Sequence, residues 1–478
     1  MAQHGGYLDL IPPHAQVVYY KNTMKKTSLI PLLALPAALL AAQPNFVLIL
    51  TDDQGYQDLG CFGSPDIRTP HLDALAQSGL RATSFYVSSA VCSPSRAAIQ
   101  TGKYHRNVNM WNGGKGSGVY RSNTDMGMSA EEITIAEVLK PQGYACGLFG
   151  KWHLGTLEKY LPTSQGYDTF FGTPASNDMG LPLNVPFAPD AVWREGMTME
   201  KVKAVAPGEM DPFKGEAPLM RDTHIVEFPA EQTTLTQRYF TEAMSFIGKA
   251  QADKKPFYVC ITPNMPHTPL RPGKDFAGKS ARGAYGDVVE EIDFNVGRLI
   301  AYLKENNLLE NTLIVFTSDN GPWLSQGKNG GCALPLRNGK RSLYEGGVRV
   351  PCVIAYPASI KPKQVTDEIL SSIDLLPTFA RMAGANPPSG INGIDLSDFL
   401  TGKTDKSPRD TFFYYNDSGE LVAVRQKEWK TIFDHPALGY AHKVEKNKED
   451  LSKPYPLSLY NLKEDVGETV NRMPAAQP

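Results

Sequence analysis

The chain has 478 residues, with 48 Lys or Arg against 50 Asp or Glu and a formal net charge of −2. This length exceeds one small domain and suits a large α/β domain with a smaller companion. Near-neutrality excludes a global field toward nucleic acid or an anionic membrane, so any anion must be caught by a local site.

In chain order, residues 1–23 precede "MKKTSLIPLLALPAALLAAQPN", where a Lys25-Lys26 head meets an apolar run over residues 29–40 and then Ala41-Ala42. That is the pattern of a secretory signal peptide. The run is short for a membrane span, and no Cys follows it for lipidation. Residues 1–42 are therefore read as an upstream extension plus signal peptide, with Met24 as the start and cleavage near Ala42. An ordered N-terminal arm is the alternative. The expected protein is exported, periplasmic or secreted, with no membrane span.

From Phe46 onward, short apolar runs alternate with helical periodicity, which signals a parallel sheet covered by helices. The runs are "FVLIL", "YACGLF", "FYVCI" and "TLIVF". Between them, "TPHLDALAQSGL" places Leu72 and Leu75 on one helical face, and "EEITIAEVLKPQG" predicts a helix that stops at Pro141 and Gly143. "QRYFTEAMSFIGKA" and "VVEEIDFNVGRLIAYLKENN" predict two longer amphipathic helices. Each apolar run is followed at once by a polar motif: "TDDQG", "GKWHLG", "TPNMPHTP" or "TSDNG". In an open parallel sheet these are the carboxyl ends of strands, where ligands bind. Four motifs are thus expected on one edge.

Residues 106–128 and 177–231 lack periodicity and are read as lids or pocket walls. After "SSIDLLPTFARMAGANPP", the segments "DTFFYYN", "ELVAVRQ", "EWKTIFD" and "LSLYNL" predict a small antiparallel sheet, with an Asp-Ser-Gly turn between the first two. The expected division is a catalytic domain over 43–385 and an antiparallel-sheet subdomain over 386–478.

Cys61, Cys92, Cys146, Cys260, Cys332 and Cys352 form no CxxC pair, which argues against zinc and against a dense disulfide scaffold. Export would permit one or two disulfides. Cys146 and Cys260 lie inside apolar runs and read as core, whereas Cys92 stands among Ser, Pro and Arg at a polar turn. Asp52, Asp53, Asp319 and Asn320 are all oxygen ligands on strand ends, a set suited to Ca²⁺ or Mg²⁺. Alone, the first pair also fits a solvated turn and the second a helix cap. Lys151 and His153 stand two apart on an extended turn, so both can face one side as an anion site with a proton carrier. His267 is held between Pro266 and Pro269. Either histidine alone also fits a surface or core role.

"CSPSRAAIQTG" resembles the signature of the type I, formylglycine-dependent sulfatases. "TDDQG", "GKWHLG", "PHTP", "TSDNG" and "NGKRSLYEGGVRVP" resemble further motifs of that family, in its order. The nearest likeness is to the arylsulfatase A and N-acetylgalactosamine sulfatase branch. The resemblance implies an alkaline-phosphatase-like α/β fold and oxidation of Cys92 to Cα-formylglycine by a formylglycine-generating enzyme. It also implies one divalent metal, Ca²⁺ before Mg²⁺, held by Asp52, Asp53, Asp319, Asn320 and the modified Cys92. One hydroxyl of the aldehyde hydrate attacks sulfur and the other ejects the product. By the same likeness, His267 protonates the leaving group, His153 deprotonates the second hydroxyl, Lys151 and Lys340 hold sulfate oxygens, and Arg96 steadies the formylglycine. Ser176, in "TPASNDMG", resembles a further sulfate-contacting serine.

The expected substrate is a sulfated saccharide, with galactose or N-acetylgalactosamine sulfate favoured. Because the site cations are tied up at the sulfate, recognition should rest on a pocket. The loops around Trp111 and Asn177-Asp178 would wall it, with Asp178 accepting from sugar hydroxyls. Two alternatives stay open: a formylglycine-dependent phosphonate or phosphodiester hydrolase, and a non-catalytic sulfated-glycan binder if Cys92 stays unmodified.

Overall fold

β1 (Asn45–Thr51) is buried at every position, as a strand covered on both faces must be. Its side chains divide by parity. Phe46, Leu48 and Leu50 enter one core, whereas Val47 and Ile49 enter the other, as the period of two requires. The computed structural model describes residues 43–110, 118–182, 184–205, 213–436 and 453–473. The signal-peptide reading of 1–42 and the pocket role given to Trp111 lie outside these residues.

Twelve strands among the described residues build the main sheet: β1, β2 (Leu80–Tyr86), β3 (Ala145–Gly150), β4 (Thr169–Gly172), β5 (Phe187–Trp193), β6 (Leu219–Arg221), β7 (His224–Phe228), β8 (Phe257–Thr262), β9 (Thr312–Ser318), β10 (Arg349–Ala355), β11 (Gln364–Thr366) and β12 (Leu370–Ser371). Their order is β11-β2-β10-β9-β1-β8-β3-β4-β6-β7-β5, with β12 beside β2. The run from β9 through β1, β8 and β3 to β4 is parallel. β10 closes its flank antiparallel to β9.

Helices cover both faces. Leu235–Ala252 and Ala284–Glu305 pack Tyr239, Phe240, Ile292 and Leu299 into the core that holds Val47. Cys92–Thr101 and Leu375–Met382 pack Ile99 and Phe379 into the other. Pro70–Ser78 buries Leu72 and Leu75, the face its periodicity marked. None of the helices described is long and apolar enough to cross a membrane. The mostly parallel, helix-flanked sheet is the architecture expected from the alternating runs.

β13 (Thr411–Tyr415), β14 (Leu421–Gln426), β15 (Trp429–Ile432) and β16 (Ser458–Asn461) form the small antiparallel sheet. Gly419, in the Asp-Ser-Gly turn, has φ +74°, which a glycine adopts without strain. Two expectations need correction. Residues 177–231 are not irregular, since they contribute β5, β6 and β7 to the sheet edge. On β5, Pro189 and Val192 are exposed along with Asp190, so its apolar residues do not alternate with polar ones. The permitted disulfides are also absent: all six cysteines are free thiols.

A buried ionic knot ties the small sheet to the large one. Lys430 Nζ, on β15, donates to the Leu343 carbonyl at 2.8 Å and lies 3.0 Å from Glu345 Oε1 and 2.7 Å from Glu468 Oε1. Burial opposes ionisation of Glu345, but Lys430, Arg349 and Arg425 outweigh it and hold the carboxyl near 2. Removing one partner of such a pair leaves an uncompensated buried charge. Lys430→Met is therefore expected to destabilise the protein by about 3–5 kcal/mol. Denaturant unfolding would show this, with partial recovery in Lys430→Met/Glu468→Gln, where one carboxylate has gone. An unchanged midpoint in the single variant would contradict the knot.

Candidate active site

Parallel register does the first assembly step. Thr51 pairs with Ser318, so the next residues, Asp52-Asp53 and Asp319-Asn320, emerge side by side. Gly150 pairs with Thr262, which brings Lys151 and the His267 loop to the same edge. Asp53 turns the chain at φ +61°. Its backbone N–H donates to Asp319 Oδ1 at 3.2 Å, and Asn320 Nδ2 donates to Asp53 Oδ1 at 2.7 Å. Gly321 lets the loop carrying Lys340 approach: a Cβ there would meet the Gly346 carbonyl oxygen at 1.8 Å.

Cys92 opens the helix Cys92–Thr101 rather than sitting at a polar turn, and every residue of that helix is buried. The Ser-Pro-Ser-Arg composition looked polar because its side chains meet charged partners instead of solvent. Helical spacing puts Cys92 and Arg96 on one face. Burial pushes the Cys92 thiol up to about 11, against the pull of Lys151 and Lys340. The unmodified side chain is thus a protonated thiol at neutral pH and a poor nucleophile.

Cations and carboxylates interleave around it. Lys151 Nζ lies 2.5 Å from Asp52 Oδ2 and 3.3 Å from Ser176 Oγ. Lys340 Nζ lies 2.6 Å from Asp53 Oδ1 and 3.7 Å from Cys92 Sγ. Arg96 donates Nε to Asp319 Oδ2 and Nη1 to the Lys151 carbonyl, both at 2.8 Å, leaving Nη2 buried without a hydrogen-bond partner. Burial resists ionisation of Asp52, yet Lys151, His267 and Arg96 hold it well below the usual carboxylate range. Burial and the Asp52 charge push Asp319 up to about 7.

The two histidines have opposite free nitrogens. His153 Nε2 is 2.8 Å from the Tyr120 carbonyl. A carbonyl only accepts, so Nε2 carries the proton and Nδ1 is the free base. That Nδ1 is buried with no partner. Burial, with Lys151 and Arg96 nearby, keeps the ring neutral, well below the ordinary histidine value. His267 reverses the arrangement: Nδ1 is 2.6 Å from the Thr268 carbonyl, and Nε2 lies 3.7 Å from Asp53 Oδ2. Burial and Lys340 lower its pKa. Lys151 to His153 prolong β3, their backbone N–H groups donating to the Thr262, Thr173 and Pro174 carbonyls, and the chain turns at His153 with φ +63°.

Atoms of Asp52, Cys92 and Asp319 can lie within 4.8 Å of one another. Asp52 Oδ1 and Asn320 Oδ1 are buried acceptors with no hydrogen-bond partner. Orphaned oxygens in a cluster rich in carboxylates fit a hard divalent cation, which would also keep Asp319 ionised. Asn177 Nδ2 donates to Gln232 Oε1 and the Pro269 carbonyl at 3.2 Å each, while its Oδ1 is buried without a hydrogen-bond partner. Asp178 is part-exposed and its Oδ1 is buried without a partner. The sequence reading missed Trp323, whose ring centroid is 5.4 Å from that of His267. Its position directly after "SDNGP" was the available signal.

A helix-opening cysteine beside a metal-site-like group, with buried cations and two oppositely oriented imidazoles, makes a site suited to hydrolysis of anionic esters. Residues 44–385 match the Sulfatase family, and residues 338–438 match N-sulphoglucosamine sulphohydrolase, C-terminal. The chain is 38% identical to arylsulfatase A of Homo sapiens, over 92% of this chain and 85% of that protein. It is 35% identical to N-acetylgalactosamine-6-sulfatase of Sus scrofa, over 82% and 72%. The crystal structure of Ps i-CgsB in complex with k-i-k-neocarrahexaose is similar, with a TM-score of 0.71 and 28% identity over 90% of this chain and 88% of that one. The chain belongs to the sulfatase family and is a sulfuric ester hydrolase.

Asp319→Asn should weaken divalent-cation affinity by more than about 100-fold, beyond the loss typical of an outer-sphere partner. Elemental analysis and calorimetry would read this directly. Wild-type affinity in the variant would remove Asp319 from the ligand set.

Proposed function

We propose that the protein is an exported carbohydrate sulfatase that removes sulfate from galactose or N-acetylgalactosamine, after a formylglycine-generating enzyme has modified Cys92. The carrying observation is Asp178. It lies two residues from Ser176, the hydroxyl that accepts from Lys151, yet offers a buried, unpartnered carboxylate oxygen. A carboxylate repels sulfate but suits the hydroxyl donors of a sugar. The N-acetylgalactosamine-6-sulfatase likeness and the oligosaccharide in Ps i-CgsB support a saccharide. The Lys25-Lys26 head and apolar run support export.

The cation, Ca²⁺ before Mg²⁺ by the family resemblance and held by the oxygens of Asp52, Asp53, Asp319 and Asn320, would supply Lewis-acid polarisation of sulfate. Formylglycine, as its hydrate, would supply two hydroxyls on one carbon at position 92. The chain's own groups do the rest. Lys151 and Lys340 place ammonium charge around position 92, where sulfate oxygens can take their remaining hydrogens. Arg96, anchored through Nε and Nη1, has Nη2 left to hold a hydroxyl at position 92. His153 accepts a proton at Nδ1, the atom its tautomer leaves free. His267, whose Nδ1–H is held by the Thr268 carbonyl, takes up a second proton at Nε2 from solvent as the bound sulfate charge offsets Lys340, and delivers that proton from the imidazolium to the leaving oxygen.

Intact-peptide mass spectrometry of active enzyme should show that residue 92 has lost its thiol sulfur and gained an aldehyde. Cys92→Ala should abolish turnover with an unchanged unfolding midpoint. An active preparation with wholly unmodified Cys92 would overturn the mechanism, whereas unmodified and inactive protein that binds sulfated glycan would point to a binder.

Asp178→Ala is expected to lower kcat/KM about 10- to 100-fold on sulfated N-acetylgalactosamine, with little change on a small aryl sulfate. Equal losses on both would place Asp178 in the sulfate site or in structure.

A further inference from the structure

Trp323 is part-exposed and follows Gly321-Pro322 after the β9 motif. One flank of its indole is charged: Lys340 Nζ lies 4.7 Å from the ring centroid. Another is the His267 imidazole, with ring centroids 5.4 Å apart at 45°. Trp323 Nε1 is buried and has no hydrogen-bond partner. An indole N–H donates and cannot accept, and an ammonium has no acceptor to offer. Lys340 therefore cannot answer this donor. Buried donors in native proteins have partners as a rule, so the missing acceptor is expected to arrive with a ligand.

The ring's position says which part of a ligand that is. Position 92 and the cations gather the sulfate, whereas His267 stands where the alcohol departs. A residue packed on His267 therefore meets the alcohol rather than the sulfate. We propose that Trp323 is a specificity-determining residue on the leaving-group side, its Nε1–H donating to an oxygen beside the scissile ester, such as a ring or hydroxyl oxygen of a saccharide. This rests on the reading of His267 as the proton donor. A leaving group without that oxygen leaves the N–H unpaired in the complex. Sites built to bond one oxygen reject analogues that lack it for this reason.

Trp323→Phe tests the idea, because it keeps an aromatic ring beside Lys340 and His267 and deletes only the donor. Two size-matched substrates without sugar, 2-methoxyphenyl sulfate and 2-ethylphenyl sulfate, differ in the oxygen next to the ester. Wild type is expected to favour the methoxy compound in kcat/KM by about 10- to 100-fold, and Trp323→Phe to bring the ratio within about threefold of unity. A sulfated N-acetylgalactosamine should lose as much in the variant as the methoxy compound does. The proposal falls if wild type shows no preference, if the preference survives in Trp323→Phe, or if both aryl substrates lose equally, which would be a packing role. If wild type hydrolyses the aryl sulfates but no sulfated saccharide, the carbohydrate reading fails, while the aryl pair still decides the role of Trp323.

Discussion

Asp52, Asp53 and Asp319 end two neighbouring parallel strands, all three buried, and the fold tolerates them only because positive charge is buried with them. A lone carboxylate in such a place would take up a proton rather than stay ionised. Lys151, Arg96 and Lys340 reach the carboxylates from β3, from the Cys92 helix and from the loop before β10. Three remote segments of chain are thereby pulled to one edge of the sheet. The compensation is uneven: Asp52 is held strongly acidic while Asp319 is pushed toward neutrality. A divalent cation suits this imbalance, and so do the two orphaned oxygens on Asp52 and Asn320.

The same logic, one layer out, explains why the small antiparallel sheet belongs to the catalytic edge. Glu345 lies five residues after Lys340, in the segment that leads into β10. Lys430 of β15 and Tyr414 of β13 both bond its Oε1. Glu468 accepts from the Glu345 backbone N–H at 2.7 Å. Bonds from two strands thus restrain the segment that presents Lys340. The close contact of Gly321 with Gly346 restrains it from the side of β9. Fixed ammonium positions are what an electrostatic site needs, since donors that need not reorganise stabilise developing charge best.

Proton traffic is set by backbone carbonyls. The Tyr120 and Thr268 oxygens each take one ring hydrogen, which frees Nδ1 on His153 and Nε2 on His267. Two residues of the same type thereby acquire different reactive atoms. The raised pKa of the Cys92 thiol complements this arrangement: without modification, the groups around it have no competent nucleophile to serve.

The amino-acid sequence by itself determined the parallel core, the strand-end location of the polar motifs and the oxygen-rich ligand set. Apolar runs of strand length followed directly by acidic or basic motifs are local signals, and the right-handed, helix-covered sheet is the fold that buries such runs on both faces. Cys92 and Arg96 were legible as a pair only through the resemblance of "CSPSRAAIQTG" to the sulfatase signature, since the residues alone read as a polar turn. Residues 177–231 were misread because β5 to β7 form an edge, where exposed positions dilute the alternation that marks a strand. Only the tertiary structure decided that Cys92 begins a buried helix, that the Asn177 amide nitrogen is bound by Gln232 while Asn177 and Asp178 each keep an unpartnered oxygen, and that Trp323 lies against His267. It alone also decided which nitrogen each histidine leaves free. The His153, Asn177 and Trp323 contacts depend on partners 30 or more residues away in sequence, and even the bond of His267 to the adjacent Thr268 carbonyl takes a geometry that no local pattern encodes.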